Sequence, residues 1–403
     1  MSRINELIRK LCPNGVEYKK VWQITTWDKK YNSVDKYMQP KIIKYNYLLA
    51  NQLNEIIVDN GDVFILETGI NNTKKYTNED LAGDNLCNGE IIAIPWGGTP
   101  NVKYYNGKFV TGDNRIAVSN DINVLNTKFL YYIFENKMNE IADFYRGSGI
   151  KHPEMKKVLN LDIPVPPIKV QEEIVRILDK FGELEAELEA ELEARKSQYE
   201  FWRGKLLFNP NYPVYKMEDI CIINQGLQIP INQRKKEPGE NRYFYITVQF
   251  LKNEGENYYI ENPSESVICK KDDILVTRTG STGKIVYGVE GCFHNNFFKV
   301  TPTIDLNKKY LYHVLNSTQM FNEMLRVASG GTVPDLPHKK FYKLEIGLPE
   351  IDEQNRIVNI LDKFDALVND ITVGLPAEIE LRRKQYEYYR NKLLSFEEMS
   401  VSE

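Results

Sequence analysis

The stretch Gln171 to Phe208, QEEIVRILDKFGELEAELEAELEARKSQYEFWRGKLLF, returns in altered form between Gln354 and Phe396. With a shift of 183, Gln171, Ile174, Leu178 and Phe181 meet Gln354, Ile357, Leu361 and Phe364; further on the shift is 187, and Tyr199 and Leu206 meet Tyr386 and Leu393. Solenoid arrays repeat over roughly 20 to 50 residues, so a period this long marks a duplicated domain plus its helix. Apolar residues fall three and four apart throughout, which is the seam of a long helix lying on another helix. Roughly 38 residues at ~1.5 Å each make a rod near ~55 Å, longer than a small domain needs to cover its core. The rod is therefore a spacer or an assembly surface.

The middle of the first copy is a tandem tetrapeptide beginning at Glu183, Glu187 and Glu191, each time Glu-Leu-Glu-Ala, built from strong helix formers with glutamates toward water. In the second copy Gly374 and Pro376 interrupt the pattern, which predicts a kink or short break. Net charge is −4, and the acidic excess sits in the rods while the globular parts are nearly neutral. This balance does not advertise nucleic-acid binding, and any DNA contact must come from local patches or from a partner subunit. Five scattered cysteines and four histidines show no metal-ligand spacing, so reduced thiols and no metal are expected. Without a membrane-length apolar run or a signal-peptide core, the expected compartment is the cytoplasm.

The periodicity predicts an α+β chain. A globular unit over 1–168 is followed by a helix over 169–208, a second unit over 209–351, a helix over 352–396 and a tail over 397–403. In the first unit Glu55–Val58, Val63–Leu66 and Ile91–Ile94 read as strands, followed by a helix over Phe129–Phe144. In the second, Tyr243–Val248, Asp273–Val276 and Lys284–Tyr287 read as strands, and a helix runs from Lys309 to about Val327. Pro164, Pro166 and Pro167 make a stiff lead-in to the first rod.

Catalytic signatures are lacking. Gly280 to Lys284 has the look of a phosphate loop, but Arg278 stands where its first Gly is required and Ile285 follows the Lys. Asn209-Pro-Asn-Tyr212 resembles an amino-methyltransferase clamp without its second Pro, and no cofactor loop accompanies it. No catalytic residue and no cofactor is expected. What recurs are loops mixing basic, aromatic, Gly and small polar residues. In the first unit these carry Trp96, Thr99, Asn101, Lys103, Tyr105 and Arg115, then Arg146, Ser148, Lys151 and His152. In the second they carry Gln225, Arg234 and Lys235, then Arg278, Thr279, Ser281, Thr282 and Lys284, then Asn295 and Asn296, and finally Thr332, His338 and Lys339. Gly lets backbone N–H groups approach phosphates, Lys and Arg neutralise them, and Asn, Gln and Arg can pair with base edges.

Taken together the chain resembles the specificity subunit of a type I restriction-modification system. The resemblance is carried by Ile163–Ile168 with Gln171–Val175 and Leu178–Lys180, by the second copy around Leu348, Gln354 and Leu361–Lys363, by the Tyr199 and Tyr386 tails ending in Lys-Leu-Leu, and by Asp273–Gly280. Lys169 and Val170 depart from the usual acidic residue there, and the segment from Gly61 to Phe64 lacks the Arg-Thr-Gly continuation of Asp273–Gly280. The resemblance implies two target-recognition domains in a pseudo-twofold duplication, each reading half of a split site in double-stranded DNA. It also implies that two long antiparallel helices join them, that these helices dock two methyltransferase subunits, and that restriction and translocase subunits join for cleavage. The twelve helix positions paired above are the expected helix-packing and partner-binding residues. A duplicated coiled-coil scaffold or adaptor without sequence readout is the alternative, and a self-sufficient methyltransferase or nuclease a more distant one.

Overall fold

The computed structural model describes residues 3–70, 74–252, 256–330 and 334–399. The chain divides into two compact units, Met1–Glu187 with Glu380–Glu403, and Leu188–Ile379. The end of the chain thus belongs with its beginning. Strand Glu17–Lys20 pairs antiparallel with Asp162–Val165, Val16 bridges to Glu398, and the Tyr18 hydroxyl donates to the Phe396 carbonyl at 2.9 Å.

One helix, Ile168–Leu207, begins in the first unit and ends in the second. Its opening residues Val170, Ile174 and Leu178 are fully buried in the core of the first unit, which Leu393 and Leu394 complete. The core of the second unit contains Ile357, Val358 and Leu361 from the helix Ile351–Asn369, completed by Tyr199 and Leu207. Each core is therefore sealed by the start of one long helix and the end of the other. In the first unit Phe181 stacks on Tyr389 at 5.5 Å and Glu185 pairs with Arg383 at 2.6 Å; rising numbers meet falling ones, so the helices run antiparallel. The expected break is present: the helix stops at Asn369 and a new one, Leu375–Leu394, starts after a turn in which Asp370 accepts from the backbone N–H of Thr372 and Val373.

Among the described residues, the first unit holds a six-stranded sheet in the order Thr25–Trp27, Asn114–Ser119, Cys87–Pro95, Lys103–Thr111, Val63–Leu66, Tyr76–Thr77. Among the described residues, the second unit holds a four-stranded sheet in the order Cys221–Gln225, Phe297–Pro302, Ile274–Thr277, Ile285–Val286, and a second four-stranded sheet around Arg242–Ile246.

Hydrogen-bond register fixes which strands correspond. In each unit a short helix, Val21–Ile24 or Met217–Ile220, leads into the first strand, which pairs Thr25 with Ser119 or Cys221 with Pro302. Across the neighbouring strand, Ala117 faces Ile92 and Val300 faces Ile274. Ile92 thus answers to Ile274, and Trp96 to Arg278. The counterpart of Asp273–Gly280 is therefore the segment through Pro95 and Gly98, not the segment at Gly61 that sequence comparison suggests. The register also places Tyr104 opposite Tyr287, and each packs on a matching helix tyrosine, Tyr131 at 6.1 Å and Tyr312 at 4.7 Å.

Three local expectations need correction. Glu55–Val58 is no strand, because Ala50–Glu55 forms a helix that buries Leu53. The helix expected over Phe129–Phe144 is two, Thr127–Asn136 and Met138–Ala142, divided at Lys137. That expected after Lys309 is likewise Lys308–Leu315 and Thr318–Val327, the second capped by the Ser317 hydroxyl.

Gln171 and Gln354 fasten each long helix to its own unit. The Gln171 side chain is fully buried; its Oε1 accepts from Asn126 N at 2.9 Å and its Nε2 donates to the carbonyls of Val124 and Pro166, both at 2.7 Å. Gln354 repeats this with Asn307 N and the Pro349 carbonyl. Two turns later, Asp179 binds Lys128 and Tyr132, and Asp362 binds Lys309 and His313. Burial holds the His313 imidazole below its ordinary pKa, against the pull of Asp362. Because Gln171→Ala would take away the partner of three backbone groups, the buried Pro166 carbonyl among them, it should lower the stability of the first unit by about 2 kcal/mol. A urea midpoint unchanged from wild type would refute that role.

Candidate nucleic-acid interface

In the first unit the residues of interest gather at the end of strand Cys87–Pro95. Trp96 is clasped there: the Arg115 guanidinium lies 4.5 Å from its ring centroid, the His152 ring lies 5.2 Å away, and His152 Nδ1 donates to the Trp96 carbonyl at 2.7 Å. The short hairpin Tyr145–Arg146 with His152–Pro153 carries His152 to that position and leaves Arg146, Ser148 and Lys151 exposed at its tip. Arg146 reaches Glu154 at 3.4 Å. A cleft of about 470 Å³ beside Trp96 is lined by Lys29, Lys30, Tyr47 and Arg115, with the Lys29 ammonium 4.4 Å above the Tyr47 ring. Sequence reasoning does not single out Lys29, Lys30 and Tyr47, although Trp27 to Ser33 mixes basic and aromatic residues as the loops at Trp96 and Arg146 do.

Several members of that set face inward. Arg115 is buried between Asp28 at 3.4 Å and Asp113 at 2.6 Å, and burial raises the Asp28 carboxyl pKa despite this pairing. Lys103 Nζ donates to the Thr68 carbonyl and to Asn101 Oδ1, and burial lowers its pKa to about 8. The Asn101 amide donates to the carbonyls of Thr68 and of exposed Thr99, tying the turn down. Tyr105 stacks on Phe64 at 4.5 Å within the sheet.

The second unit assembles its cluster around the turn that follows Ile274–Thr277. Arg278 N donates to the Asn296 carbonyl at 2.6 Å, and the Gln225 amide donates to the Asn295 and Phe297 carbonyls, so three separate loops meet. The Arg278 side chain grips Asp335, Nε to Oδ1 at 2.7 Å and Nη2 to Oδ2 at 3.1 Å. Thr282 Oγ1 donates to the Pro334 carbonyl, holding the turn against the same segment. Thr279 is half-buried. Ser281 and exposed Lys284 border a cleft of about 550 Å³ completed by Phe321 and Leu325. His338 sets its ring edge-on to Phe298, and burial together with the Arg278 charge depresses its pKa; Lys339 beside it is exposed. Arg234 turns inward, donating through Nε and Nη2 to the Ile229 carbonyl beneath Tyr245 and Tyr258. Lys235 pairs its backbone with Tyr259 and its ammonium with Glu261 at 3.9 Å. Thr332 lies outside the described residues.

On the helices, Gln171, Ile174, Leu178, Tyr199, Gln354, Ile357, Leu361 and Leu393 are buried within their own units, and Phe181, Leu206, Phe364 and Tyr386 are half-buried. The apolar surface left outward is a different set. Phe201 and Trp202 lie 55% and 42% exposed with Lys205 over both rings; at the matching positions of the last helix stand Tyr388 and Tyr389, with Lys392 over Tyr388. No group of His, Cys, Asp or Glu suited to a metal ion occurs among the described residues, and none of their helices is long and apolar enough to cross a membrane.

The family model for the type I restriction modification DNA specificity domain matches this chain twice, over residues 27–194 and 209–381. A putative type I restriction enzyme specificity subunit of Haemophilus influenzae is 34% identical over 332 residues, spanning 76% of this chain and 83% of its own length. The EcoR124I/EcoR124II specificity subunit of Escherichia coli is 36% identical over 304 residues, spanning 70% of this chain and 74% of its own length. Among solved structures, the S subunit of the type I restriction-modification system of M. genitalium aligns with a TM-score of 0.57 at 16% identity, covering 96% of this chain and 97% of that one. A chain from a structure on complex assembly and conformational transition of the type I system gives 0.59 at 12% identity, covering 95% and 98%. At these identities the structural likeness is one of fold. The two matched regions and the relatives together place the chain in the family of type I restriction-modification DNA specificity subunits, whose part is recognition of DNA and not catalysis.

Proposed function

We propose that this subunit works in the cytoplasm, where each unit reads one half of a split site in double-stranded DNA. Two methyltransferase subunits join it, with restriction and translocase subunits added for cleavage. The observation that carries this reading is the repetition of one frame with different contents. The same strand end, the same backbone pairing (Arg146 with His152, Ser329 with Asp335) and the same buried glutamine occur in both units, yet Trp96 and His152 stand where the other unit has Arg278 and Asp335. Equal frames suit equal geometry toward a duplex, and unlike side chains suit unlike base sequences. The exposed aromatic and lysine sets at Phe201, Trp202 and Lys205 and at Tyr388, Tyr389 and Lys392 are the docking sites in this reading. Two copies of one surface call for two copies of one partner.

The test is co-expression with the methyltransferase of the same system in a methylation-free host, followed by single-molecule methylome sequencing. The expected product is a motif of two short half-sites around a fixed gap. Exchange of residues 1–168 for those of a relative should then replace one half-site and leave the other and the gap intact. If both halves change, or if the assembled complex methylates no split motif, the reading fails, and in the second case a scaffold without readout takes its place.

A further inference from the structure

Trp96 and Arg278 occupy one position of the shared frame. Each follows the strand that lies beside Asn114–Ser119 or Phe297–Pro302, and each donates its backbone N–H to the turn before that strand, Trp96 to the Asp113 carbonyl at 3.0 Å and Arg278 to the Asn296 carbonyl at 2.6 Å. Two residues on, each turn has a glycine in the left-handed region, Gly98 at φ +103° and Gly280 at φ +82°. Their partners correspond as well. His152 pairs its backbone with Arg146 just as Asp335 does with Ser329. The first unit therefore presents an indole with an imidazole where the second presents a guanidinium with a carboxylate.

From this geometry we infer that Arg278 reads a guanine in the second half-site and that Asp335 is the positioning residue that aims it, an inference that rests on the function proposed above. A guanidinium carries five N–H donors in a plane. Asp335 takes the Nε edge and one hydrogen of Nη2. Nη1 has no acceptor among the described residues, so Nη1 and the second hydrogen of Nη2 form a free parallel pair along the far edge. That pair matches the O6 and N7 acceptors of guanine in the major groove, a pattern no other base shows there. The Arg278 side chain is 39% exposed, within reach of a ligand yet held in one orientation. Asp335 removes the rotamer freedom that a lone arginine would lose on binding. Trp96 and His152 offer no such fork at the same position of the first unit.

The test uses the full complex with its methyltransferase and reads the methylome of the wild type, Arg278→Gln, Arg278→Lys and Asp335→Asn. The wild type should require guanine at one position of the half-site that exchange of residues 1–168 leaves unchanged. Arg278→Gln should relax that position about tenfold to a hundredfold, relative to the other three bases, with the first half-site and the gap unaltered. Arg278→Lys keeps the charge without the planar fork and should relax the same position even if Arg278→Gln methylates nothing. Asp335→Asn should relax it by about tenfold, a change confined to one base that a general loss of folding would not produce. Retention of strict guanine in Arg278→Lys, an effect in the other half-site, or a second half-site without guanine overturns the assignment while leaving the specificity reading intact. A wild-type complex with no split motif overturns both.

Discussion

A fourth Glu-Leu-Glu-Ala unit inserted after Ala194 should abolish methylation of the original sites and create methylation of sites whose gap is longer by one or two base pairs. Four residues lengthen an α-helix by ~6 Å and turn it by about 40°, and base pairs stack at ~3.4 Å. The helix that receives the insertion begins in one unit and ends in the other, and in the function proposed above it sets the gap. The opposite connection is interrupted between Asn369 and Leu375 and can yield without unwinding a continuous helix. On an old site only one unit can then keep its register. Losing about three base pairs of readout at roughly 1–3 kcal/mol each lowers occupancy by about a hundredfold or more. Methylome sequencing gives the answer directly: an unchanged gap would show that the repeats are a passive acidic face. Either outcome leaves the recognised half-site bases where they were, because the insertion touches neither cluster.

The repeat that predicts this behaviour was legible because helical periodicity and duplication are local properties of a sequence. The first rod is one helix, Ile168–Leu207, and the second is interrupted between Asn369 and Leu375, where Gly374 and Pro376 break its pattern. The failures lie where a partner is distant in the chain. Arg115 and Arg234 have the composition of DNA contacts, but a buried carboxylate 87 residues upstream and a nearby carbonyl, respectively, draw them inward. Gln171 and Gln354 are visible as a repeated pair, yet repetition alone does not tell a side chain that grips its own domain from one that awaits a partner. The strand pairing that makes Trp96 answer to Arg278 is set by hydrogen-bond register, and apolar strands such as Val63–Leu66 and Ile274–Thr277 look alike in composition. Lys29 and Lys30 carry a readable signal, a basic pair between Trp27 and Tyr31, but neither glycine nor duplication marks them.

Substituting Phe201 and Trp202 together by Ala should weaken binding of a methyltransferase subunit by about a thousandfold while leaving the fold unchanged. The two side chains keep roughly half their surface in water, so the second unit loses little of its own packing on truncation. Aromatic side chains that become fully buried on association contribute most to affinity, commonly about 2 kcal/mol or more each, and each 1.4 kcal/mol is a factor of ten. Lys205 lies 4.7 Å from the Phe201 ring centroid and 5.8 Å from that of Trp202, stiffening both rings before any partner arrives and lowering the entropy lost on docking. The matching substitution Tyr388→Ala should remove the other copy of the contact. Sedimentation of each variant with methyltransferase should then show complexes with one partner subunit instead of two, and with none when the substitutions are combined. If the doubly substituted protein still binds two, the outward aromatic sets are ordinary surface, and docking must use the half-buried residues between the antiparallel helices, of which Phe181 and Phe364 are the first to substitute.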